Sequence, residues 1–194
     1  MQNDLFEKAP VHKAYFSFAL PVVFSMVISL IYNMADTYFI AGTGNTNLVA
    51  GVSLGAPIFT LMIALGDIFG LGGSSVISRL FGQKKDEDGK RLSVFCFYGA
   101  IVCGVIVAAV MMIFRAPILQ VLGADSDTIV YASQYYTWLV LGAPFIILVY
   151  TPSNLLRTEG FAVGSMTGTV LGAVVNIILD PIFISVLGMG AAGA

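Results

Sequence analysis

Five apolar runs, each long enough to cross a lipid bilayer, constrain this chain more than any other feature. They extend approximately over Tyr15–Ile40, Leu48–Ser78, Leu92–Phe114, Thr128–Leu156 and Val163–Leu187. A spanning helix needs about 20 mostly apolar residues, because in hydrocarbon the backbone groups find no partners but one another. Only 10% of the 194 residues are charged, where a soluble domain carries roughly 25%. The expected fold class is therefore all-α, a polytopic membrane helix bundle lying in a lipid bilayer. A net charge of -2, with no basic cluster outside one short connector, leaves no footprint for nucleic acid.

Lys8 and Lys13 precede the first run, as in a signal peptide, but the run outlasts an h-region of roughly 7 to 15 residues. No small-residue cleavage site follows it, so it is expected to be a retained span. Five spans with a closing GMGAAGA, read as the start of a sixth helix, make the chain an expected partial lobe of a larger protein. Basic residues orient it. Lys8, Lys13, Arg79, Lys84, Lys85, Lys90, Arg91 and Arg157 fall on one side and only Arg115 on the other. Because cytoplasmic loops collect Lys and Arg, the N-terminus is expected in the cytoplasm.

Aromatic residues cluster near the expected interfaces, with Tyr15, Phe16 and Phe18 at one end of the first span. Tyr131, Tyr135, Tyr136 and Trp138 stand at the outer end of the fourth, and both groups read as interfacial anchors. Cys96 and Cys103, seven apart in one run, lie roughly 10 Å apart along a helix, too far for a disulfide. His12 is the only histidine, and no Cys or His cluster has metal-ligand spacing. No cofactor and no transition metal is expected.

Asp36, Asp67 and Asp180 lie inside the runs, where a charge costs about 2.5 to 3.5 kcal/mol at a helix centre. Such residues call for a compensating environment or a function. Ser25, Ser29, Tyr32, Asn33 and Asp36 share one helical face, and Ser165, Thr169, Gly172, Asn176 and Asp180 share another. At 1.5 Å per residue, Asp36 and Asp180 sit roughly 31 and 26 Å from the inner ends of their spans, at one outer level. If the first and fifth helices adjoin, Asp36, Asn176 and Asp180 with Tyr32 line a chamber of oxygens. Such a chamber suits a hard cation, a sodium ion for example, or a proton held where loss of water favours the neutral acid. Asp67 stands among Gly66, Gly70, Gly72 and Gly73, a pattern of close helix contact. These glycines lack the GK[ST] ending of a phosphate loop. Pro21, Pro57, Pro144, Pro152 and Pro181 lie in or beside spans, and Pro181, directly after Asp180, marks a place to bend.

The LP of the first span, MADTYFIAGTGNTNLVAG, SRLFGQKK, LLRTEG and above all NIILDPIFI followed by GMGAAGA resemble the multidrug and toxic compound extrusion transporters. The likeness covers nearly the whole chain. It implies twelve helices in two lobes, of which this sequence supplies five and the start of a sixth, and no enzymatic activity. It further implies alternating access and export of small, often cationic organic compounds across the cell membrane in exchange for protons or sodium ions. By the same likeness Asp36, Asn176 and Asp180 match the coupling site of the first lobe, and its partner is the C-terminal lobe absent from this sequence. Tyr32 matches a cavity tyrosine, Asn154 is similar to a polar cavity position, and Asn33 and Asp67 complete the expected substrate cavity. A flippase for lipid-linked precursors, from the same superfamily, is the nearest rival, but it calls for Arg or Lys inside the cavity, whereas all nine basic residues lie before or at the ends of spans. An intramembrane aspartyl protease is a more distant one, since ALGD lacks the first glycine of GxGD and MAD stands in place of YD.

Overall fold

The computed structural model of the chain describes residues 10–193. Lys8 and the side chains of Lys13 and Phe18, which enter the expected charge and aromatic patterns, lie outside the described residues. The described residues form helices joined by short turns: α1 (Val11–Gly42), α2 (Thr46–Ser53), α3 (Ala56–Asp67), α4 (Gly73–Gly82), α5 (Asp86–Ile113), α6 (Arg115–Val121), α7 (Ile129–Thr158) and α8 (Ala162–Asp180). Five stretches are long and apolar enough to cross a membrane: Tyr15–Gly42, Thr46–Gly82, Asp86–Ile113, Ile129–Thr158 and Ala162–Ile184. The chain is thus a bundle of five candidate membrane helices.

The second of these stretches is built from α2, α3 and α4. A turn at Leu54–Gly55 separates α2 from α3, which starts with Pro57 in its first turn, where the missing N–H costs no hydrogen bond. A π-helical turn, Ile68–Gly72, then joins α3 to α4. The fifth stretch ends similarly. Pro181 has no N–H to continue the α-helical ladder, so α8 stops at Asp180 and the backbone passes into a π-helical turn, Pro181–Val186, in which Leu187 N–H donates to the Ile182 carbonyl at 2.8 Å. The expected bend at Pro181 therefore takes the form of a widened turn. At GMGAAGA the structure has a single 3₁₀ turn, Gly190–Ala192, whose Ala191 is buried beside Leu48 and Ile184.

Helix α7 is the hub, packing against α2, α3, α4, α5 and α8. Its core partners include Met62 from α3 and Ala100 from α5, which with Tyr136, Val140, Ala143 and Ile147 of α7 are essentially inaccessible. Glycines set the distance of approach along one side of it. A methyl group at Gly51 would lie 2.8 Å from Tyr131 Cβ, at Gly66 2.8 Å from the Ile147 carbonyl oxygen, and at Gly70 2.8 Å from the Tyr150 carbonyl oxygen. One at Gly55 would enter the Tyr135 ring. The pairs Gly51/Gly55 and Gly66/Gly70 thus form two small-xxx-small steps on which α7 lies parallel to the second stretch. Gly73 makes the same kind of approach to Cys96, whereas Gly72 faces open space and has no packing role among the described residues.

Helix α1 stands apart from this core. Its main neighbour is α8, with smaller contacts to α2 and the Pro181 turn. Most of its apolar side chains, among them Phe24, Leu30, Met34 and Tyr38, remain exposed.

Gly70→Ala drives a methyl group into backbone and into the Asn154 amide, while Gly72→Ala meets nothing within 4 Å. Overpacking of this kind costs about 1 to 3 kcal/mol. Melting of the purified full-length protein is expected to show a clear fall for Gly70→Ala and no loss for Gly72→Ala.

Candidate functional site

Contact between α1 and α8 brings the two polar stripes together. Asp180, the last residue of α8, is 3% exposed, and its Oδ1 accepts a hydrogen bond from Asn176 Nδ2 at 3.1 Å, one turn back on the same helix. Asp36 on α1 is close enough to Asp180 for the two charges to interact. Three acceptor atoms here are buried without a hydrogen-bond partner: Asp36 Oδ1, Asn176 Oδ1 and Asp180 Oδ2. Only one other described side-chain atom shares that condition, Thr151 Oγ1 on α7. Buried acceptors in native proteins are almost always satisfied. Three orphaned oxygens in one group, two of them from carboxylates, form a set that a cation or a proton satisfies and a further acceptor does not.

Tyrosines extend this group toward α7. Tyr32, one turn before Asp36 on α1, interacts electrostatically with it. Tyr135 interacts with both Asp36 and Tyr32, and its ring lies over Gly55, where no side chain intervenes. From its place in the sequence Tyr135 is expected to be an interfacial anchor together with Tyr131, Tyr136 and Trp138. Of these four, Trp138 is well exposed, as an anchor should be. Tyr136 is a core residue, 1% exposed, donating to the Met111 carbonyl oxygen at 2.6 Å. Tyr131 accepts a hydrogen bond from Asn45 Nδ2 at 2.9 Å. The signal that Tyr135 differs from its neighbours was the Gly55 position opposite it, which is not recognisable without knowing that α2 and α7 pack in parallel.

The remaining expected positions divide. Asn33 is exposed on α1 and donates to its own helix at the Ser29 carbonyl, 2.8 Å away. Ser25 is buried and likewise donates within its helix, to the Pro21 carbonyl. Asn154, 7% exposed, gives its amide to the Tyr150 carbonyl at 2.9 Å and packs against Gly70. Asp67 interacts electrostatically with Tyr150 and with Arg157, and Tyr150 in turn with Tyr32. A second polar group, Asp67, Tyr150, Asn154 and Arg157, therefore lies below the Asp36–Asp180 group, toward the end of the bundle that bears the basic connectors. Asp67 and Asp180 each stand directly before a π-helical turn, a backbone form frequent at functional sites. Among the described residues no three His, Cys, Asp or Glu side chains converge as a metal cluster would require.

A family model described as MatE matches residues 21–182. Multidrug export protein MepA of Staphylococcus aureus is 37% identical over 189 residues, covering 97% of this chain and 42% of that protein. A protein of the same name from Staphylococcus saprophyticus is 36% identical over the same share. Among solved structures, the outward-facing conformation of a multidrug resistance MATE family transporter of the MOP superfamily matches with a TM-score of 0.93 at 31% identity, over 100% of this chain and 42% of that one. A MOP superfamily transporter from Pyrococcus furiosus, described as having a binding pocket of reverse polarity, matches with a TM-score of 0.92 at 31% identity, over 99% and 42%. The chain spans about two fifths of the length of these relatives. With its five candidate membrane helices and a family match over most of its length, this chain is a multi-pass membrane protein of the multidrug and toxic compound extrusion (MATE) family.

Proposed function

We propose that this chain forms part of the first lobe of a secondary antiporter, which exports small, often cationic organic compounds across the cell membrane in exchange for protons or sodium ions. The observation that supports this most is the set of orphaned oxygens of Asp36, Asn176 and Asp180 between α1 and α8. In this reading a proton or sodium ion arriving from outside neutralises the carboxylate pair. A cationic substrate held by the same negative charge then loses its counter-charge and leaves outward. Coupling needs no more than this competition, because each occupant shifts the equilibrium between states by its differential affinity. Asn176 orients Asp180 through their hydrogen bond. Tyr32 and Tyr135 supply hydroxyls beside the carboxylates, and Asn33, exposed on α1 with its Nδ2 on the Ser29 carbonyl, offers its amide oxygen to substrate. Asn154, bonded to its own helix and packed at Gly70, and Asp67, which interacts electrostatically with Arg157, form the inner end of the substrate cavity in this reading. The net negative group favours cationic over phosphate-bearing cargo in this lobe.

Efflux from vesicles containing the full-length protein, with proton and sodium gradients imposed separately, tests the reading and identifies the ion. Asp36→Asn and Asp180→Asn preserve shape while removing charge, and each is expected to bring gradient-driven efflux down to near that of empty vesicles. Wild-type efflux in both variants would overturn the assignment.

The two neighbouring tyrosines separate site from core. Tyr135→Phe is expected to raise the substrate concentration needed for half-maximal efflux roughly two- to ten-fold, the range for one lost neutral hydrogen bond. Tyr136→Phe is expected to leave that value unchanged and to lower stability by about 1 kcal/mol, since it loses only the bond to the Met111 carbonyl.

Orientation follows from charge. With Arg79, Lys84, Lys85, Lys90, Arg91 and Arg157 on one side, that side is assigned to the cytoplasm. In intact cells a membrane-impermeant thiol reagent is expected to label Thr43→Cys and not Lys84→Cys; the reverse pattern would invert the topology.

A further inference from the structure

At the basic end of the bundle, away from the carboxylate pair, lies a cavity of about 300 Å³ lined by Val22, Ser74, Ser75, Ser78, Arg157 and Thr158, with Ala162 closing one side. Four hydroxyls and one guanidinium are an unusual lining for a region bounded by apolar spans. Its depth is set by the helix ends. Arg157 is the penultimate residue of α7 and Ala162 the first of α8. Ser78 lies four residues before the end of α4, or about 6 Å along the axis. The cavity therefore opens at the boundary, beside Arg157 and Ser78, and reaches about two helical turns inward to Ser74, eight residues or about 12 Å before the end of α4, so that its mouth lies at the level of lipid headgroups.

The lining is chemically one-sided. Arg157 donates through Nε to Ser165 Oγ at 3.1 Å, which fixes the plane of the guanidinium and leaves its two terminal nitrogens without a hydrogen bond among the described residues. That free edge is the one that holds phosphate in a bidentate way. The Ser75 hydroxyl makes no hydrogen bond among the described residues, while Ser74, Ser78 and Thr158 donate to the carbonyls of Leu71, Ser75 and Asn154. Such local bonds are readily exchanged for a stronger acceptor. Among the described residues, Arg157 is the only charged side chain lining the cavity. Asp67 interacts with it electrostatically but is not part of the lining and forms no ion pair with it.

We propose that this cavity binds the phosphate group of an anionic membrane lipid, gripped by Arg157 with Ser75 and Ser78. Basic pockets between membrane helices on the cytoplasmic side recognise such headgroups, because charge and bidentate geometry act together where water is partly excluded. The site is separate from the Asp36–Asp180 group, and it stands whichever ion or cargo that group takes. Lipid held there ties α1, which otherwise leans mainly on α8, to α4 and α7.

The test uses full-length protein in nanodiscs of phosphatidylcholine alone or mixed equally with phosphatidylglycerol, reading thermal stability and the ratio of the two lipids retained after delipidation. Wild type is expected to be stabilised by, and to retain, phosphatidylglycerol. Arg157→Gln is expected to lower that retention roughly ten-fold, the scale of one charge-assisted hydrogen bond pair, with Arg157→Lys intermediate. Ser75→Leu, which fills the cavity and leaves the Arg157–Ser165 bond in place, is expected to act like Arg157→Gln and serves if that variant fails to fold. Equal retention by wild type and Ser75→Leu would overturn the proposal. So would equal stabilisation by inorganic phosphate, which would make this a site for a free anion, or a full-length structure with one of the protein's own carboxylates seated against Arg157.

Discussion

Helices in hydrocarbon gain little by hiding apolar side chains from one another, since lipid tails are as apolar as leucine, so association rests on close van der Waals contact and on polar groups that find partners. In this chain that contact is concentrated where Gly51, Gly55, Gly66 and Gly70 meet α7. Without side chains in the way, the backbone of one helix touches the carbonyls of the other, and α7 becomes the post to which α2, α3, α5 and α8 are fixed. Every other relation in the bundle follows from where α7 stands. Tyr135 reaches the Asp36 group because Gly55 leaves room for its ring, and Asn154 turns its amide to its own helix because Gly70 occupies the other side.

Beside that post, α1 packs chiefly against α8. Few α1 side chains are buried, and the polar ones turned inward have satisfied themselves locally, as Ser25 does with the Pro21 carbonyl. The carboxylates have not. Asp36 and Asp180 keep an oxygen each without a partner, although a core that needed them only for packing would pair them. The π-helical turn that follows Asp180 is a place where bending costs little, because its backbone ladder is already interrupted at Pro181.

The polar groups are also graded along the membrane normal. Carboxylates and tyrosines occupy the far half, Asp67 with Tyr150 the middle, and Arg157 with its serines the basic end. The Asp36–Asp180 pair and Arg157 thus stand at different depths. The Arg157 guanidinium stands at the basic boundary, where a headgroup can meet it.

The five apolar runs, the polar stripes and the three intramembrane aspartates were legible from residue order alone, because helical periodicity and the cost of charge in lipid act within a single segment. Family likeness was legible for the same reason, in short contiguous motifs such as NIILDP. That α1 and α8 adjoin depended on folding, since nothing within either segment states which of the other helices it will meet. The separate fates of Tyr135 and Tyr136 were decided there as well: adjacent on one helix, they point about a hundred degrees apart, one toward Gly55 and Asp36, the other toward the Met111 carbonyl. So was the cavity at Arg157, whose lining comes from three stretches far apart in the chain, around Val22, Ser74–Ser78 and Arg157–Ala162. Local physics wrote the elements into the sequence, but which side chains share a chamber is set by helix-to-helix packing, a property of pairs that no single stretch contains.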